Sequence, residues 1–230
     1  MTAPQLHKVP HRARNIAIYG GAFDPIHVGH MAVARAVQRR FHLEELHFVP
    51  AGRHPFKSKQ HLTPFAHRYA MLALACAEHP HYLPSLAEAG EDGAGQHIHY
   101  SVDTVRQFRR QLRHPHDRLY FITGVDSFLE IPVWRDYETL LGLCDFIVTS
   151  RPGFKMNALR LVIPPDLLAR EQPRDRHTIA LRKTSVHLLD SVRSHVSSTE
   201  VRRRRHRGQS IHGLVPVRVE EYILRQALYS

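Results

Sequence analysis

Short apolar runs separated by helix-length amphipathic stretches recur along this chain, and that alternation narrows its folds to very few. Residues 16–19, 45–50, 119–123 and 145–149 read as strands; residues 31–40, 64–77, 101–112 and 137–143 carry apolar positions at helical spacing. Residues 82–85 form a weaker strand, residues 186–189 a late one, and residues 217–228 a closing amphipathic helix. Ser101 is placed to cap its helix. Residues 152–183, with Pro164, Pro165 and Pro173, predict a peripheral helix plus a mobile loop. Strands alternating with helices specify an α/β fold: a mostly parallel sheet, helices on both faces, and further helices at the C-terminus. Ligands of such sheets bind beyond the carboxyl ends of the strands, near the point where strand order reverses.

The 230 residues, 43% of them hydrophobic, suffice for one sizeable core. We expect a single domain over residues 16–230 behind a basic, flexible tail over residues 1–15. No apolar run approaches the roughly 20 residues that span a bilayer, and the tail lacks the apolar middle of a signal peptide. Cys76 and Cys144 are the only cysteines, too few for a disulfide framework, so a cytoplasmic location is expected. A net charge of +11 calls for an acidic partner, and nucleic acid, anionic lipid and polyphosphate nucleotides all qualify.

Residues 20–30 read Gly-Gly-Ala-Phe-Asp-Pro-Ile-His-Val-Gly-His, directly between a strand and a helix. A strand delivering a glycine-bearing turn to a helix N-terminus builds a phosphate cradle, because backbone N–H groups and the helix dipole favour an anion there. His27 and His30 add side-chain donors. The spacing is not that of the dinucleotide fingerprint, and no P-loop occurs anywhere in the chain. With 20 histidines a pair three apart arises by chance, so the pair alone carries little; zinc binding would need a third ligand at metal-site spacing. Ser197, Ser198, Thr199 and Arg202 open a second helical run. Singly they are helix caps and a solvated cation; together they form a second candidate anion site.

The first stretch resembles the G-G-x-F-D-P-x-H-x-G-H signature of the nucleotidylyltransferase superfamily, with Ala22 where Thr or Ser is common. The second, Val196 to Arg202, resembles that superfamily's I-S-S-T-x-I-R segment. The middle of the chain is similar to the nicotinate-nucleotide adenylyltransferase family. The likeness rests on Val49-Pro50-Ala51 before a basic loop ending in Lys57, and on Arg68 in an Arg-x-x-Met-Leu run. It continues through residues 100–104, residues 121–127, Trp134 ahead of the 137–141 run, and Ser150-Arg151-Pro152-Gly153. Arg53-His54-Pro55-Phe56-Lys57 departs from the family's P-P-H-K.

The resemblance implies a Rossmann-like nucleotidyltransferase fold and adenylyl transfer from ATP to nicotinate mononucleotide, giving deamido-NAD and pyrophosphate. It implies that Gly20, Gly21, Ala22, Phe23, His27, Gly29, His30, Ser197, Ser198, Thr199 and Arg202 hold ATP, with His27, His30 and Arg202 catalytic. Lys57, Arg68, Ser101, Asp103, Asp126, Trp134 and Arg151 are the implied mononucleotide contacts. Mg²⁺ is expected on the phosphates, with no dedicated protein metal site. A homo-oligomer is compatible with the chain. Nicotinamide mononucleotide and phosphopantetheine are the rival acceptors. A nucleic-acid-binding role is the rival from another class, although the run from Arg202 to Arg207 lacks interleaved aromatics for base stacking.

Overall fold

Alternating burial along the first strand sets the layers of the molecule. In β1 (Asn15–Gly21) Ile16 and Ile18 face one core, while Ala17 and Tyr19 face another. This is the period-two pattern of a strand covered on both sides. The computed structural model describes residues 13–52, 62–90, 93, 98–150, 154–190 and 195–230.

After β1 come α1 (Val28–Phe41), β2 (Glu45–Pro50), α2 (Phe65–Cys76), β3 (Tyr82–Pro84) and α3 (Ser101–Gln111). Then follow β4 (Arg118–Gly124), α4 (Val125–Leu129), α5 (Tyr137–Leu143), β5 (Asp145–Thr149) and α6 (Met156–Arg160). The chain closes with β6 (Thr178–Ala180), β7 (Ser185–Leu189), α7 (Ser198–His206) and α8 (Val217–Arg225). The seven strands lie in the order β3-β2-β1-β4-β5-β7-β6, and every neighbouring pair is parallel except β6 with β7. Strand order therefore reverses between β1 and β4. Met31, Ala34 and Val37 of α1, Met71 and Leu72 of α2, Val201 of α7, and Val219 and Ile223 of α8 bury against one face of the sheet. Val102, Val105 and Phe108 of α3, Phe128 of α4, Leu140 and Leu141 of α5, and Leu159 of α6 cover the other.

Three local expectations change. Ser101 does not cap α3; Tyr100 occupies that position in an extended conformation, with no side-chain cap bond, and Ser101 begins the helix. The stretch expected to be one helix and a mobile loop instead holds α6, a 3₁₀ turn at Pro165–Leu167 and the edge strand β6. At three residues, β6 is too short for its periodicity to register, and only its pairing with β7 defines it. At the other end, β1 begins at Asn15, and Arg14 is already anchored. Its N–H donates to Asp117 Oδ1 (2.9 Å) and its guanidinium pairs with Glu45 (2.8 Å). Residues 1–12 of the tail expected over residues 1–15 lie outside the described residues.

Candidate active site

The glycine turn, Gly20–Gly21, ends β1 beside the C-terminus of β4, at the reversal of strand order. A Cβ on Gly21 would meet the Phe23 ring at 3.2 Å, tighter than ordinary packing, so a side chain there would require the ring to shift by a few tenths of an ångström. Phe23 itself adopts φ 47°, an uncommon region for an aromatic residue. Its ring packs edge-on against Tyr19 (5.4 Å between centroids) and His30 (5.0 Å), walling the site with aromatic carbon.

His27 and His30 form a reciprocal cap on α1. The Gly29 N–H donates to His27 Nδ1 (3.1 Å), and the His27 N–H donates to His30 Nδ1 (3.2 Å). Their rings stack with centroids 3.7 Å apart. Burial lowers the His27 pKa to about 4. Burial first, then the neighbouring His27, holds His30 well below its ordinary value. Both imidazoles are therefore neutral near pH 7, and because each Nδ1 accepts a backbone N–H, each ring proton resides on Nε2. The pair supplies two neutral N–H donors. The helix amides contribute less than the sequence suggests, since the Val28 N–H is spent on the Leu214 carbonyl (3.0 Å) and the Gly29 N–H on His27.

The second candidate anion segment meets the first. Ser197 caps α7 by accepting the Glu200 N–H (3.2 Å), Ser198 donates its hydroxyl to the Pro25 carbonyl (2.9 Å), and Arg202 donates to the Asp24 carbonyl. A further Arg202 N–H reaches Thr199 Oγ1 at 3.4 Å, leaving other guanidinium N–H groups for a ligand. The start of α7 thus clasps the loop that leads into His27. Arg203 and Arg204, by contrast, are bound to Glu200 (2.8 Å each).

Arg68 occupies a different position from a substrate-facing cation. It is 3% exposed, and its guanidinium donates to the carbonyls of Thr63 (2.8 Å), Ala22 (2.9 Å) and Ala51 (2.8 Å). It braces the turn after β1 against the loop after β2 from below. Asp24 is likewise committed, since Oδ1 accepts the Tyr229 hydroxyl (2.7 Å) and Oδ2 the Thr63 N–H (3.3 Å). No cluster of three or more His, Cys, Asp or Glu side chains suited to a metal occurs among the described residues.

Of the residues expected to contact the mononucleotide, Trp134 is half-buried and meets Phe121 edge-on at 6.2 Å. Arg106 links Asp103 (3.2 Å) to Asp136 (2.6 Å), and Arg135 lies 4.5 Å over the Tyr100 ring. The start of α3, with Ser101 and Asp103, is therefore joined to the segment bearing Trp134. Asp126 is exposed in the first turn of α4, just past β4. Lys57 and Arg151 lie outside the described residues, as do Arg53 and His54. Sequence reading missed Glu88, which accepts from the Thr104 hydroxyl (2.8 Å) and the Gly52 N–H (3.2 Å) and whose pKa burial raises. It also missed Tyr229. Glu88 lies in a Gly- and acid-rich loop, and nothing in such composition marks a buried carboxylate.

Two neutral histidine donors at a parallel-sheet switch point, gripped by a cationic helix start, make an arrangement suited to a phosphate-bearing ligand. The chain belongs to the cytidylyltransferase-like family, whose model matches residues 18–204. Within that class it is 39% identical over 218 residues to the probable nicotinate-nucleotide adenylyltransferase of Moorella thermoacetica, covering 95% of this chain and 93% of the relative. It is 36% identical over 215 residues to the probable nicotinate-nucleotide adenylyltransferase of Geobacter sulfurreducens, covering 93% and 97%. The fold matches that of the Plasmodium falciparum nicotinic acid mononucleotide adenylyltransferase complexed with NaAD, with TM-score 0.69 and 21% identity over 94% of this chain and 97% of that one.

Proposed function

We infer that this chain transfers the adenylyl group of ATP to nicotinate mononucleotide, releasing pyrophosphate and forming deamido-NAD, a step of NAD biosynthesis. The observation that carries this reading is the clasp of Ser198 and Arg202 on the loop leading into His27, which gathers two anion-binding segments around one place. Two relatives with that activity in their names, each aligned over more than nine-tenths of this chain, supply the acceptor.

The phosphate of the mononucleotide attacks the α-phosphorus of ATP in line, and the bond to the β,γ-pyrophosphate breaks. No protein nucleophile is required. Such transfers depend on positioning and on stabilising charge as it spreads over the phosphate oxygens. His27 and His30, through Nε2–H, donate to the α- and β-phosphates. The remaining Arg202 N–H groups, with Ser197 and Thr199, hold the departing pyrophosphate. Trp134 stacks on the pyridine ring, and Ser101, Asp103 and Asp126 line the mononucleotide side. Mg²⁺ enters as the ion on ATP. Each oxygen of the Asp24 carboxylate already accepts one protein hydrogen bond, and an ion that keeps most of its own waters would need few protein ligands. Arg68 acts beneath the site by holding the loops. Cys76 and Cys144, both buried and unpaired, fit a reducing, cytoplasmic setting.

The test is pyrophosphate release from ATP with nicotinate mononucleotide, nicotinamide mononucleotide or phosphopantetheine offered separately. Turnover highest with nicotinate mononucleotide supports the reading; preference for either rival acceptor replaces it.

A further inference from the structure

Asp24 joins four parts of the molecule. The residue is 3% exposed, its carbonyl accepts from Arg202 of α7, and its carboxylate accepts from Thr63 ahead of α2 and from Tyr229 beyond α8. The last contact is unexpected, because Tyr229 is the penultimate residue and lies past the 18–204 span matched by the family model. The chain bends sharply to make it. Ala227 (φ 48°) and Tyr229 (φ 62°) both adopt the left-handed conformation, at roughly 1–2 kcal/mol each for a residue with a Cβ. The bend is pinned by Ala227 N–H to Leu224 O (3.2 Å), Leu228 N–H to Ile223 O (3.0 Å) and Ser230 Oγ to Ala227 O (2.9 Å). Leu228 and Tyr229 pack on the core shared with α1 and α8. Strained residues persist where the surroundings over-determine them, and here the strain delivers one hydroxyl to one carboxylate. Burial and the adjacent Asp24 push the phenol pKa up, so the hydroxyl remains a donor; Thr63 and Arg202 are its other polar neighbours.

We propose that Tyr229 is a positioning residue for adenylyl transfer: by fixing Asp24, it sets the Asp24–Pro25 carbonyls that Arg202 and Ser198 grip, and with them the spacing of the two phosphate-binding segments. This rests on the adenylyl-transfer reading above. The Tyr229 hydroxyl is bound to Asp24 Oδ1 (2.7 Å). It acts through Asp24 on the groups of those two segments.

A single oxygen decides the matter, since Tyr229→Phe keeps the ring and its packing. Turnover, the Michaelis constants, the melting temperature and the dissociation constant of a non-hydrolysable ATP analogue are measured on the full chain. Tyr229→Phe is expected to lower kcat about tenfold, as loss of one hydrogen bond to a charged group allows, with the Michaelis constant for nicotinate mononucleotide within about twofold of wild type. Affinity for the ATP analogue is expected to fall about fivefold. In an Asp24→Ala background the same change should alter kcat less than about twofold, the non-additivity of residues acting through one another. A Tyr229→Phe enzyme with wild-type kcat and a lowered melting temperature makes Tyr229 a mere anchor and overturns the proposal, as do effects of Tyr229 and Asp24 that multiply independently. Should the wild-type chain make no deamido-NAD, the functional reading fails on its own. The ATP-analogue comparison then decides the role of Tyr229: weaker binding sustains it, and equal binding ends it.

Discussion

At the scale of single residues, the site works by spending polar atoms on each other until only the useful ones remain. Each of the paired histidines of α1 uses its inner nitrogen on a backbone N–H, and the aromatic wall of Tyr19 and Phe23 keeps the rings uncharged. Truncating His30 to Ala should lower kcat on the order of 100-fold, the scale of one lost transition-state donor. The Michaelis constant for nicotinate mononucleotide should stay nearly constant; an unaltered kcat would remove the assigned role. The same burial has a signature in stability. The folded His27 pKa of about 4 lies below the ordinary value of 6.5, so below pH 6.5 the unfolded chain binds more protons than the folded one. Stability is full above pH 6.5 and is lost as pH falls toward 4, by on the order of 3 kcal/mol from this residue. Denaturant melts of wild type and His27→Asn at pH 7 and pH 4.5 check this: the variant should lose markedly less on acidification.

At the scale of elements, loops after successive strands are held by side chains the sequence places correctly but explains differently. Arg68 emerged from an Arg-x-x-Met-Leu run as a mononucleotide contact, yet its fork joins carbonyls of the turn after β1, the loop after β2 and the approach to α2. A lysine cannot reproduce a planar fork. Arg68→Lys should destabilise the fold by about 2–4 kcal/mol, by leaving buried carbonyls unpaired, while barely changing the Michaelis constant for the mononucleotide. A large rise in that constant at unchanged stability would instead make Arg68 a substrate ligand. Trp134→Ala should do the opposite, raising the Michaelis constant for nicotinate mononucleotide about tenfold and leaving that for ATP near normal. What was legible here is local. Gly20 to His30 and Val196 to Arg202 announce themselves because strand, turn, cap and cation fall within one short stretch. Glu88–Thr104, Asp24–Tyr229 and Val28–Leu214 were not legible, since each joins residues that only the tertiary fold brings together, and no periodicity encodes them.

At the scale of the whole molecule, the alternation of strands and helices carried through to a sheet whose reversal lies beside the Gly20–Gly21 turn. The elements that escaped, β6 above all, are those too brief to show a period. The +11 charge belongs to the same scale. If it serves chiefly to attract nucleotide substrates, retention of duplex DNA on filters should be weak and should fall about 10³-fold or more between roughly 50 and 200 mM salt. Pyrophosphate release should be indifferent to added duplex; inhibition persisting at the higher salt would revive a nucleic-acid role. The margins of the sheet have a consequence of their own. The outermost strands, β3 and β6, are three residues each, and β3 ends on Pro84. Open strand edges invite another chain to add itself, and short or proline-ended edges offer it little to copy. In the folded sheet these short rims leave few open backbone groups with which a second chain could pair.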